Sequence, residues 1–131
     1  MMKKKTGRFA RVALPVLAMA LAFSATASAA GETEPNDSLT AASATSLGEF
    51  NWGVVSGSDV NDYWKLTDAS YGTHTLYGNS GTAMEVRNSS GSLLAYKPAG
   101  TMSVSFFGGG TLYVVASFYS STAYNYSFSV N

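Results

Sequence analysis

From Leu47 onward the chain breaks into short segments rich in aromatic and β-branched residues, separated by Gly, Asn, Ser and Asp at intervals of about ten residues. That rhythm belongs to an antiparallel β-sandwich or barrel. It predicts strands over 51–55, 62–67, 73–77, 83–87, 93–97, 102–106, 111–116 and 124–130, with turns at 56–59, 78–81, 88–91 and 108–110. In the last segment Tyr124, Tyr126, Phe128 and Val130 alternate with Asn125, Ser127, Ser129 and Asn131, so one face is buried and the other wet. Met102, Val104 and Phe106 alternate with serines in the same way. Leu112 to Ala116 is apolar at every position, which suits a central strand covered on both faces.

The stretch 31–46 differs, being small and polar. Pro35 fixes its own φ and pushes Glu34 toward an extended conformation, so Glu34-Pro35-Asn36-Asp37 reads as a turn. Asp37 followed by Ser-Leu-Thr-Ala-Ala predicts a capped helix of one or two turns, and no other helix is expected.

Residues 1–29 form a separate unit. Lys3, Lys4, Lys5, Arg8 and Arg11 precede an apolar run from Val12 to Phe23, and Ala27-Ser28-Ala29 supplies small residues for a signal peptidase. The run is too short for the roughly 20 residues that span a bilayer. A cleaved signal peptide and a secreted, extracellular protein are therefore expected, with residues 30–131 as one domain. With no cysteine, neither a lipoprotein anchor nor a disulfide is available, and stability must come from apolar burial, with a bound ion as an optional supplement. Beyond the leader lie fifteen aromatic residues to supply that burial.

Removing the leader changes the charge balance. Lys65, Arg87 and Lys97 then face eight carboxylates, a net charge of −5. So few cations exclude neutralisation of a nucleic-acid backbone and disfavour an anionic membrane surface. The expected partners are an extracellular matrix or cell-wall polymer, or another secreted protein.

Two stretches concentrate the acids: Glu32-Thr33-Glu34-Pro35-Asn36-Asp37, and Asp59-Val60-Asn61-Asp62 just before an aromatic strand. Calcium takes about six to eight oxygen ligands from carboxylates, amides and carbonyls. Alternate residues of an extended segment point the same way, so Glu32, Glu34 and Asn36 present oxygens together, and Asp59 and Asp62 close the site from another loop. Spacing alone equally fits solvated turn residues, with Asp37 as a cap and Asp59 holding its own turn.

The same two stretches carry a family resemblance. Glu32-Thr33-Glu34-Pro35-Asn36-Asp37-Ser38, followed by Gly57-Ser58-Asp59-Val60-Asn61-Asp62-Tyr63-Trp64, resembles the bacterial pre-peptidase C-terminal (PPC) domain, the family that includes the collagen-binding domains of clostridial collagenases. The resemblance extends over residues 32–130, although its specific motifs fill only those stretches. It implies an antiparallel jelly-roll-like β-sandwich of about eight strands and a calcium pair site. Glu32, Glu34, Asn36 and Asp37 are the implied N-terminal ligands, and Asp59 and Asp62 the implied loop ligands. Such domains usually follow a secreted protease. Here the leader runs directly into the domain, so proteolysis is not implied.

Enzymatic chemistry finds little support. His74 is the sole histidine, no G-x-S-x-G elbow accompanies it, and a strand position on a polar face is expected. One histidine without cysteine cannot supply the usual zinc ligands. Glu49, Glu85 and the aspartates would need two carboxylates flanking one cleft to form a glycosidase acid pair, and a domain this small rarely offers such a cleft. Tyr71, Tyr96, Phe118, Tyr119 and Tyr124 lie near strand ends and turns, as a polymer-binding shelf or as core and edge cover. The resulting expectation is a non-catalytic, calcium-binding module for an extracellular polymer, collagen-like or polysaccharide. The alternative is an accessory domain assisting folding, secretion or assembly of another exported protein.

Overall fold

The computed structural model describes residues 29–131, so the expected leader, up to residue 28, lies outside the described residues. Eight strands follow one another: β1 (Ala29–Gly31), β2 (Ser43–Thr45), β3 (Phe50–Val55), β4 (Asn61–Gly78), β5 (Ala83–Asn88), β6 (Leu93–Lys97), β7 (Ser103–Ser117) and β8 (Tyr124–Val130). There is no helix among the described residues. The helix expected after Asp37 is instead a turn, in which Ala41 N–H donates to Ser38 O at 3.1 Å, leading into β2. Four residues separate that turn's start from a buried strand, which leaves no length for helical propagation.

Pairing runs β1-β3-β8-β4-β7-β5-β6, with β2 added on β4. Two long strands fold this path into facing layers. The first part of β4 pairs with the second part of β7 and, in parallel, with β2. Its second part pairs with the first part of β7 and with β8. One layer is thus β2-β4-β7-β5-β6 and the other β1-β3-β8-β4-β7, a β-sandwich whose central strands belong to both layers. It is open, not a closed barrel. The pairing is antiparallel except for β1 on β3 and β2 on β4. These two parallel strands, of three small residues each, are too short to announce themselves by alternation.

The shared strands correct the sequence reading in two places. Four expected strands merge into β4 and β7, and Gly108-Gly109-Gly110, expected as a turn, lies inside β7. There the β4–β7 register shifts between Leu66 and Gly72, and the strands bend from one layer to the other. A Cβ on Gly109 would stand 2.7 Å from Tyr71 Cα, so glycine is what lets the two backbones pass at the corner.

Between the layers lies a core that includes Trp64, Leu66, Leu76, Val86, Phe106, Val114 and Phe128. Trp64 in one layer meets Phe128 in the other edge to face, with ring centroids 5.4 Å apart. Residues Leu112 to Ala116 are all buried, as their unbroken apolar run requires; Tyr113 is flanked in register by Lys65 and Arg87, and Val115 by Tyr63 and Glu85. The β8 alternation holds, with Tyr126, Phe128 and Val130 buried. His74 departs from expectation. It is buried on the same side as Leu76, its ring 5.7 Å from that of Phe106 and its Nε2 2.7 Å from Ser70 O. That carbonyl, turned toward it at the irregular corner, satisfies the imidazole and lets a polar residue occupy a core position.

Candidate functional site

The segment after β1 is held at the rim of the sandwich by backbone and hydroxyl contacts. Glu32 N–H continues the β1 ladder by donating to Trp52 O at 3.1 Å. Ser43 Oγ accepts from Thr33 N–H at 2.9 Å and donates to Thr33 O at 3.2 Å. Tyr63 N–H donates to Asn36 O at 2.9 Å, fastening the segment to the start of β4. The Glu34–Pro35 peptide is cis. On the other side, Ser56 and Asp59 close a tight loop through Ser56 N–H to Asp59 O at 2.8 Å and Asp59 N–H to Ser56 O at 3.2 Å. Both stretches therefore meet beside Asp62, the second residue of β4.

The meeting places carboxylate oxygens of Glu32, Glu34, Asp59 and Asp62 all within 4.8 Å of one another. Asn36, fully buried, has its Oδ1 3.2 Å from Glu34 Oε2 and 3.2 Å from Asp62 Oδ1, while its amide nitrogen donates to Ser43 Oγ at 3.4 Å. With the amide turned over, Nδ2 donates to both carboxylates instead. Asp37 is exposed and reaches Asp59. All six residues singled out by the two motifs are thus gathered in one place, with Asp37 at its outer edge.

Electrostatics there is unfavourable to the bare carboxylates. Asp62 is fully buried, and its Oδ2 has no hydrogen-bond partner. Burial first, and then the neighbouring Glu32 and Asp59, push its carboxyl up to about 9. Burial and adjacent acids also raise Glu34 and Asp59. A dense set of hard oxygen donors, with a buried carboxylate oxygen left over, is the chemistry that a hard divalent cation such as calcium satisfies.

Tyr126 and Gly53 support the cluster, and neither stood out in the sequence as a site residue. Tyr126 OH accepts from Trp64 Nε1 at 2.8 Å and donates to Glu32 Oε2 at 2.9 Å, while Val54 N–H donates to Glu32 Oε1 at 2.9 Å. Burial raises the tyrosine's pKa, so its hydroxyl stays a donor. Glu32 is thereby fixed through both oxygens. The space its carboxylate occupies exists because position 53 has no side chain.

The aromatic candidates do not assemble into one shelf. Tyr71 lies in a hollow with Phe107 and Leu94, whereas Tyr119 and Tyr124 line another with Asn79 and Ala99. Phe118 and Tyr124 stack at 5.8 Å and pack against the core, and Tyr124 OH donates to Ser117 O at 2.6 Å. Tyr96 is half exposed on β6. Glu85 on β5 is paired with Arg87, whose Nε donates to it at 2.8 Å, and Glu49, in the turn before β3, accepts from Ser46 N–H at 3.0 Å.

No protein-family model matches the sequence, and no curated protein matches it. Among solved structures, the chain is similar to the crystal structure of the pre-peptidase C-terminal domain of a collagenase from Bacillus anthracis, with a TM-score of 0.58 at 19% sequence identity. The match covers 69% of this chain and 94% of that one. The fold is therefore that of a PPC domain, as the two acidic motifs led one to expect.

Proposed function

We propose that this chain is a secreted, non-catalytic PPC-like β-sandwich that binds calcium and serves as a module for attachment to an extracellular polymer or protein. The observation that supports it best is that carboxylate oxygens of Glu32, Glu34, Asp59 and Asp62 lie within 4.8 Å of one another, while Asp62 Oδ2 is buried without a hydrogen-bond partner. Asn36 and Asp37 complete the ligand set. The ion, when bound, supplies positive charge that neutralises the cluster and ties the segment after β1 to the β3–β4 loop and β4. It thereby takes the stapling place of the absent disulfide. The likeness to a collagenase domain supports the attachment role.

Thermal unfolding of residues 30–131 tests the calcium reading. At a hundredfold excess over the dissociation constant, linkage contributes about 2.7 kcal/mol, a rise in Tm on the order of 10 °C. A midpoint identical in calcium and in chelator would reject the site. Magnesium, which requires tighter octahedral geometry, should give a smaller shift.

The response should depend on pH with a definite sign. Without metal, the fold raises the Asp62 carboxyl to about 9, so its stability contribution is complete below the unfolded value near 3.9 and fades as pH climbs toward the folded one. Calcium requires the ionised ligands, so its stabilisation grows over that same window. The gap between the calcium and chelator melting curves is expected to widen from pH 5 to pH 8; a gap that narrows would contradict the assignment.

Retention on collagen or wall polysaccharide supports the attachment role, whereas co-purification with one exported protein and with no polymer points to the accessory role.

A further inference from the structure

We propose that the outer face of the β1-β3-β8-β4-β7 layer binds an uncharged polysaccharide chain, with Phe50, Trp52 and Tyr77 receiving sugar faces and the hydroxyl side chains between them meeting sugar hydroxyls. The inference rests on the polymer-binding reading and specifies its partner and surface.

The first observation is an inverted alternation. In β3 the buried positions are Asn51, Gly53 and Val55, and the large residues point outward: Phe50 is 46% exposed and Trp52 51%. Across the same face Tyr77 is 48% exposed and Met102 68%. Leaving so much apolar surface in water forgoes favourable burial. Contiguous patches of that kind mark interaction sites.

The register gives the face its relief. Trp52 stands opposite Ser127, and Tyr77 opposite Ser129. Ser127 and Ser129 therefore form a floor in an open hollow of about 300 Å³ walled by Phe50, Tyr77 and Met102, with Trp52 on the same face outside it. That volume is at the lower end of ligand sites, about 300 to 1,000 Å³, and suits a short stretch of a longer chain lying across the sheet.

Charge then selects the occupant. The outward positions of β3, β8, the second part of β4 and the first part of β7 include no Asp, Glu, Lys or Arg, although the chain beyond its leader has a net charge of −5. The opposite layer, by contrast, carries Lys65, Glu85 and Arg87 on its strands. A neutral face suits a neutral partner. Its apolar rings are interleaved with hydroxyls, as where Thr75 Oγ1 and Ser105 Oγ lie 3.3 Å apart, so a dry protein interface or a lipid surface would strip water from groups it cannot repay. A polysaccharide presents both matching surfaces: C–H faces for the electron-rich aromatic faces and hydroxyls for the serines and threonines.

The test is retention of residues 30–131, in calcium, on insoluble cellulose, xylan and chitin, with collagen fibrils alongside. Binding to at least one of these glycans is expected, weakened about tenfold or more by Phe50→Ala or Tyr77→Ala and abolished by Met102→Glu, an exposed change that leaves the melting midpoint in place. Glycan binding that survives all three variants, retention on collagen alone, or self-association blocked by Met102→Glu would overturn this inference and leave the polymer- or protein-binding reading standing. Retention on none of the materials would overturn both.

Discussion

Replacing Gly53 by alanine is expected to lower stability by about 4 kcal/mol and to remove the response to calcium in the same step. A methyl group there overlaps the Glu32 carboxylate and the Tyr126 hydroxyl and comes within 2.5 Å of Tyr126 Cζ. Neither neighbour can yield cheaply. Tyr126 is buried and tied to Trp64 Nε1, and Glu32 is held by Tyr126 OH and Val54 N–H. Displacing either breaks a charge-assisted hydrogen bond and pulls one carboxylate out of the cluster. The midpoint in calcium should fall on the order of 20 °C. Gly81→Ala, whose added carbon meets nothing closer than 3.8 Å, is the control and should change little. If Gly53→Ala melts like the parent in both calcium and chelator, the support assigned to Glu32 is wrong.

Lys97→Met is expected to cost about 3 kcal/mol while leaving the calcium response intact. Lys97 is fully buried with no carboxylate beside it among the described residues. Its Nζ donates instead to Thr82 O at 2.6 Å, Thr101 O at 2.8 Å and Asn79 O at 3.1 Å, joining the turn after β4 to the loop after β6. Burial lowers its pKa, the sign of a desolvation cost that those carbonyls offset. Methionine keeps the apolar stem and removes that cost. It also leaves the carbonyls without a donor, and because they belong to the backbone no second substitution can remove them. The orphaned carbonyls decide the sign. Denaturant titration against Lys65→Met, an exposed position expected within about 0.5 kcal/mol of the parent, measures the difference. Equal midpoints for the two variants would show that water replaces the ammonium at no cost.

Legibility in the sequence followed how local each signal was. The β8 alternation and the apolar run through Leu112 to Ala116 were readable because a strand repeats every two residues and burial follows from it directly. Glycines misled at positions 108–110, since the same conformational freedom serves a turn or a strand bending past its neighbour, and only the approach of Tyr71 distinguishes them. His74 misled because a lone polar residue in an alternating run says nothing about which carbonyl is available; Ser70 O supplies it through a corner that the sequence does not mark. At β3 the face that meets the core is set by the fold. Asn51 and Gly53 are inside, where Gly53 makes room for the Glu32 carboxylate from the segment after β1 and for the Tyr126 hydroxyl from β8.

For the candidate site, residue chemistry was legible and support was not. The two acidic stretches could be named from their composition, since carboxylates and an amide are recognisable wherever they stand. That they come together depends on Tyr63 N–H meeting Asn36 O and on Ser43 clasping Thr33, contacts between strands and segments with no local signature. By itself, then, the sequence determined an all-β chain, the spacing of most of its strands and the identity of the acidic donors, because these follow from local period and side-chain chemistry. Tertiary structure decided which strands are shared between layers, which face of β3 meets water, how Lys97 is satisfied and which groups hold Glu32, because each depends on atoms brought together by folding from distant parts of the chain.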